Sequence, residues 1–269
     1  MTLARPAVGA PPLADSIARI DSLQDRTRLR FGAQDGWITC ADMLADQAKL
    51  IQWVDRTGIS LLNDYGHAPR RTATAYVMAW YLSVPAFAAG MLFHHERRVP
   101  SLRPHHLAFR LGSPRPDPVG TSLLSSRFTC LPSDPAAGAV DADVVPDERT
   151  LAAVLRGRFA AHAARFVTVF GPIGRIDRRT LWGAATDALD NALLLAGRAH
   201  GAEQAGVMDA TLVFPAVFPP FTTASTVRPN AAGTGWIRRK ESCCYHYLLP
   251  AGQGPCDTCP RVLPKQFAK

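Results

Sequence analysis

The chain lacks the short motifs that seat the common cofactors of large cytoplasmic enzymes. It has no G-x-x-x-x-G-K-[ST] loop for nucleotide phosphates, no strand-borne G-x-G-x-x-G fingerprint for a dinucleotide and no H-E-x-x-H helix for catalytic zinc. ATP, flavin, NAD and hydrolytic zinc therefore have no visible seat. Aromatic residues are sparse at 8% and charged residues make up 19%. The 30 basic residues outnumber the 22 acidic ones, for a net charge of +8, but they are scattered singly and in pairs. Without a stripe interleaved with aromatics, that charge does not read as a nucleic-acid surface. No apolar stretch near Met1 is long enough for an export signal, so the expected compartment is the reducing cytoplasm, where clustered thiols are more often metal ligands than disulfides.

With 269 residues and 47% hydrophobic content, there is enough chain for a sizeable core. Pro12 to Arg30 and Cys40 to Arg56 read as helices, the second opened by Thr39 with Asp42 three residues on. Tyr76 to Phe93 carries no charge for eighteen residues, the minimum for a membrane span. Pro85, four alanines and a glycine lower its hydrophobicity, and basic residues flank both ends, so the expectation is a kinked, buried core helix. From His105 to Val145 short extended runs, His106 to Leu111 and Ser126 to Leu131, alternate with proline-rich turns. Helices are expected over Asp147 to Phe170 and Asp177 to His200, with Asp177 as cap and Gly201 as stop, then a short helix from Glu203 and a proline-broken segment to Phe221. The fold class this implies is α+β: a mostly helical domain over residues 1–235 with a small antiparallel sheet, and a C-terminal metal-binding segment, 236–269, packed on it.

That last segment holds four of the six cysteines within seventeen residues: the vicinal pair Cys243 and Cys244, then Tyr245 to Pro255, then Cys256-x-x-Cys259. Zinc ribbons present two C-x-x-C knuckles that fold both sulfurs onto one ion. Adjacent residues in extended backbone point to opposite sides, so a vicinal pair more readily reaches two metal atoms than two corners of one. Four cysteine sulfurs shared by two irons are the ligand set of a [2Fe–2S] cluster. A zinc site, a pair of disulfides and a vicinal disulfide are the competing readings. Cys40 and Cys130 stand alone and read as small buried hydrophobes.

This pattern resembles the C-terminal signature of the FhuF family of siderophore-iron reductases, Cys-Cys-x10-Cys-x2-Cys, with one more residue in the long spacer. The extra residue falls among the turn formers Pro250, Gly252, Gly254 and Pro255, where insertion costs little. The basic stretch Trp236-Ile-Arg-Arg-Lys240 leading into the cysteines also fits the family, as do, more loosely, Trp80 to Pro85, Leu107 to Leu111 and Leu181-Trp-Gly183. The resemblance implies a cytoplasmic ferric-siderophore reductase holding a [2Fe–2S] cluster on Cys243, Cys244, Cys256 and Cys259. Its partners would be a ferric siderophore and an electron donor such as a ferredoxin or flavin reductase, with at most peripheral membrane association. Tyr245, Tyr247, Leu248 and Leu249 would screen one side of such a cluster. Arg238, Arg239, Lys240 and His246 are candidates for contacts to the sulfurs or to an anionic partner. A zinc-stabilised protein that binds or carries a siderophore without redox chemistry is the alternative. An iron–sulfur sensor would want a helix-turn-helix that the sequence does not show. The pairs His94-His95 and His105-His106 read as surface groups or as groups behind a site, with at most a substrate contact, because adjacent residues on a helix or strand diverge.

Overall fold

A computed structural model describes residues 11–230, 232–250, 256 and 258–261. The first helix, α1 (Pro12–Asp21), stops well short of Arg30, and the chain turns into strand β1 (Arg28–Phe31). The expected helix over Pro12 to Arg30 thus ends at Asp21 and its last three residues are strand; Arg28-Leu-Arg-Phe31 does alternate polar and apolar with the period of two that a strand requires. Strand β2 (Ile38–Thr39) leads into α2 (Cys40–Ala45) and α3 (Gln47–Tyr65). Thr39 Oγ1 accepts the Asp42 N–H at 2.9 Å and donates to its carboxylate, so the expected start is in place. The helix expected to run on to Arg56 breaks at Asp46, whose carboxylate caps α3 by accepting the Ala48 N–H at 2.9 Å.

Helix α4 (Arg70–Glu96) runs through Pro85 and is the centre of the molecule. It has the length and composition of a membrane span, yet 78% of its apolar window is buried inside the fold. It packs on α1, α3, α5 (Glu148–Gly174), α6 (Arg178–Arg198) and α7 (Glu203–Val213). Alanines and a glycine let α6 approach closely: a Cβ on Gly90 would stand 2.9 Å from the Ala192 Cβ. Asp147 and Asp177 cap α5 and α6 as their positions suggest, accepting the N–H of Thr150 and Thr180.

The sheets are small and mixed, in keeping with the α+β, mostly helical class. Strand β3 (Val99–Pro100) pairs with β6 (Phe128–Cys130), which pairs in parallel with β7 (Ala142–Val144). Strands β4 (Leu107–Leu111) and β5 (Pro118–Leu123) pair antiparallel, with β2 on the β4 edge. Strand β1 pairs with β5 in parallel, Arg28 opposite Gly120, so the expected antiparallel sheet carries parallel edges. Cys40 and Cys130 are fully buried, as expected of small apolar residues. Burial pushes the Cys40 thiol up to about 12, which keeps it protonated and unreactive. The last hairpin, β8 (Arg228–Pro229) with β9 (Trp236–Ile237), delivers the chain to the cysteine segment.

Candidate metal centre

Two helices hold the cysteine segment in place. From α6, three polar side chains at helical spacing, Asp187, Asp190 and Asn191, share one face. Asp187 is buried and accepts the N–H of Glu241 at 2.8 Å, the N–H of Ser242 at 2.9 Å and the Ser242 hydroxyl at 2.6 Å. Arg238 lies beside it at 3.3 Å and also donates to Asn191 at 2.9 Å. Burial pushes the Asp187 carboxyl above the usual carboxylate range, while Arg238 and the Ser242 hydroxyl hold it back. Asp190 accepts from Ser225 at 2.6 Å and Thr226 at 3.1 Å, and the Thr226 hydroxyl also reaches the Arg239 carbonyl. Gly183 completes this bed: a Cβ there would come within 3.2 Å of the Glu241 Cβ, a tight contact to which the chain before the cysteines would have to yield by a few tenths of an ångström.

From the other side, the first turns of α4 grip the residues after Cys244. Thr72 donates to the Tyr245 carbonyl at 3.1 Å, the Tyr76 hydroxyl meets His246 Nδ1 at 2.7 Å, and the Arg71 guanidinium stacks 4.1 Å from the Tyr245 ring. The Tyr65 ring stands edge-on to His246 at 5.7 Å. Tyr245 takes the left-handed conformation, φ 54°, which folds the chain back immediately after the vicinal pair. The fold-back aims successive amides at sulfur: the Tyr245 N–H donates to Cys243 Sγ at 3.4 Å, and the His246 N–H donates to Cys244.

The knuckle is tied to this platform. Cys259 N–H closes a turn on the Cys256 carbonyl at 2.8 Å. Lys240 N–H reaches the Thr258 carbonyl at 2.8 Å, and Arg239 Nη2 the Pro260 carbonyl at 2.8 Å. Each member of the vicinal pair therefore faces the knuckle. Burial pushes the Cys243 thiol up; the Tyr245 N–H opposes that, and Cys244 and Cys259 are close enough to add to it. Burial raises Cys244 as well, opposed by the His246 N–H and Lys240, with Cys256 hydrogen-bonded to it. Cys259 is only 3% exposed. The half-buried Cys243 and Cys244 thiols, pushed up by burial and by neighbouring thiols, resist ionising, and a bound cation removes that cost.

The sequence-predicted residues thus fall in one place with different roles. His246 gives its backbone amide to a sulfur and its ring to Tyr76. Lys240 faces Cys244. Arg238 is 6% exposed and locked onto α6, so its place is internal and not on a docking surface. Of the apolar screen, Leu249 is buried and Leu248 is 38% exposed. The spacer turn formers Gly252, Gly254 and Pro255 lie outside the described residues, as does the N-terminal stretch 1–10. Sequence reasoning missed Asp187 and Asp190; the signal was two carboxylates three apart in the otherwise uncharged run from Leu181 to Leu195. No family model matches the chain, and no curated protein matches it either.

The residues fit a cluster ligand set. The vicinal pair and the knuckle supply four thiols, with Cys243 near Cys244 and Cys259 and Cys244 near Cys256; amides of Tyr245 and His246 and the Lys240 cation favour negative charge on the vicinal pair. At Tyr245 opens a cavity of about 550 Å³, whose polar lining also includes Arg70, Arg71, Arg175, Asp177 and Thr180.

Proposed function

We propose that the chain is a ferric-siderophore reductase: it delivers one electron to Fe(III) held in a siderophore, and the weakly held Fe(II) then leaves. The observation that supports this reading is the pairing of Cys243 with Cys259 and of Cys244 with Cys256, one residue from Tyr245, which lines a cavity edged by three arginines. A [2Fe–2S] cluster held by those four thiolates would supply one-electron transfer.

The residues around it have definable tasks. Arg70, Arg71 and Arg175 attract an anionic chelate into the cavity. Tyr245 follows Cys244 in the chain and lines the cavity, so a chelate bound there would lie within a short electron path of that thiol. Asp187 and Gly183 hold the segment in register, and the amides of Tyr245 and His246 stabilise negative charge on sulfur. No side chain is needed for proton transfer. The direction of reaction comes from the substrate: hard oxygen donors hold Fe(III) far more tightly than Fe(II), so adding one electron labilises the complex.

The test is anaerobic turnover with a ferric siderophore and a chemical or protein reductant, with Fe(II) trapped by a ferrous-specific chelator. Catalysed Fe(II) release, with a raised KM in Arg71→Ala or Arg175→Ala, supports the reading. Binding of the siderophore without Fe(II) release would favour a non-redox carrier.

A further inference from the structure

We infer that His94, His95 and His200 form a second metal site, for a first-row divalent ion such as Zn2+, independent of the four cysteines. His94 and His95 lie in the last turn of α4, and His200 just beyond the end of α6. The fold brings the three rings into one triangle. Centroids stand 4.8 Å apart for His94 and His95, 5.1 Å for His94 and His200, and 4.7 Å for His95 and His200. One nitrogen from each ring lies within 4.8 Å of the others. Around a tetrahedral ion with Zn–N of about 2.0–2.1 Å, ligand nitrogens stand about 3.4 Å apart, so closure asks only a small rotation of each ring.

Two further features distinguish this triangle from a chance gathering. First, His95 Nε2 is buried without a hydrogen-bond partner, a cost that a metal bond removes. Second, His94 Nδ1 is 2.6 Å from Asp209 Oδ2, and Asp209 is 2% exposed and anchored by Arg97. With its proton on Nδ1, His94 has Nε2 free to ligate; a carboxylate behind a histidine in this way orients the ring and strengthens it as a ligand.

The donor set selects the metal. Three imidazoles without thiolate favour zinc, nickel, copper or ferrous iron over magnesium or calcium. His200 is exposed, so the ion would sit at the rim with its remaining position open to water. The site is remote from the cysteines: Thr72 touches the cysteine segment, and His94 lies 22 residues further along α4, about 33 Å at 1.5 Å per residue. Its occupancy is therefore separate from the redox reading.

The experiment is equilibrium dialysis of the purified full chain against Zn2+, with zinc X-ray absorption to identify ligand atoms. The expected result is one zinc per chain in a nitrogen and oxygen shell. His200→Ala, which changes an exposed residue, should weaken binding by more than about 100-fold, and Asp209→Asn by about 10- to 100-fold. His95→Ala should match His200→Ala. A sulfur shell around the zinc, unchanged binding in His200→Ala, or no zinc uptake would overturn the inference.

Discussion

Replacing Asp187 by Asn should release the cysteine segment while leaving the helices folded. In the native chain this carboxylate serves the Glu241 and Ser242 amides, the Ser242 hydroxyl and Arg238. Asparagine keeps one acceptor oxygen and puts an NH2 where the Ser242 donors point, so two donors face a donor. A hydrogen bond to a charged group contributes about 1.5–3 kcal/mol. Breaking a buried pair costs about 3–5 kcal/mol because the partner's charge stays buried, here on Arg238. These terms share partners and do not add, so the expected local loss is about 3–5 kcal/mol. At about 1.4 kcal/mol per factor of ten, amides from Arg238 to Cys244 should exchange with solvent about 100- to 4000-fold faster. Mass-spectrometric hydrogen exchange measures this, with metal content per chain beside it. Circular dichroism should show the helices intact. Unchanged exchange in the segment together with unchanged metal content would refute the reasoning that α6 positions the site.

Single changes of Cys243, Cys244, Cys256 or Cys259 to Ser should strip or destabilise bound iron, whereas Cys40→Ser and Cys130→Ser should retain it; iron per chain in the six variants decides. Lys240→Gln, which removes the cation facing Cys244, should lower the reduction potential by tens of millivolts in redox titration, about 59 mV being a tenfold change for one electron. Arg238→Gln should instead lower the stability of the segment, since its guanidinium is spent on Asp187 and Asn191. His162 is buried between the Leu102 carbonyl at 2.7 Å and the Tyr81 hydroxyl at 3.0 Å, and burial lowers its pKa from 6.5 to about 4. Between those values the unfolded chain binds a proton that the folded one refuses, so stability falls as pH drops from 6.5 to 4, by up to about 3 kcal/mol. Urea unfolding across that range should show the slope, and His162→Phe should flatten it.

The parts of the fold legible in the sequence are those governed by local rules. Asp147, Asp177 and Thr39 announce helix starts because each side chain caps its own amides, and the uncharged run of α4 announces burial because charge is excluded from a core. What sequence reading missed depends on distant partners. Strand β1 was hidden in an apparently helical stretch and needs β5, about ninety residues later, to complete it. Strand β5 lies beside a proline-rich turn that masks the alternation of Val119, Thr121 and Leu123. At the site, ligand candidates are legible from spacing alone, because a vicinal pair and a knuckle are chemical patterns. Their support is not: Asp187 and Asp190 look like an ordinary polar helix face until Glu241, Ser242 and Thr226 are laid against them. The same holds for His200, which comes to His94 and His95 only through the packing of α6 on α4.

The central claim is that the four C-terminal cysteines hold a redox-active cluster, and metal analysis of the anaerobically purified protein with its visible spectrum tests it most directly. The account predicts a red-brown protein with iron and acid-labile sulfide in equal amounts, about two of each per chain, whose colour bleaches with dithionite. A colourless protein carrying zinc on those cysteines and no labile sulfide would contradict it.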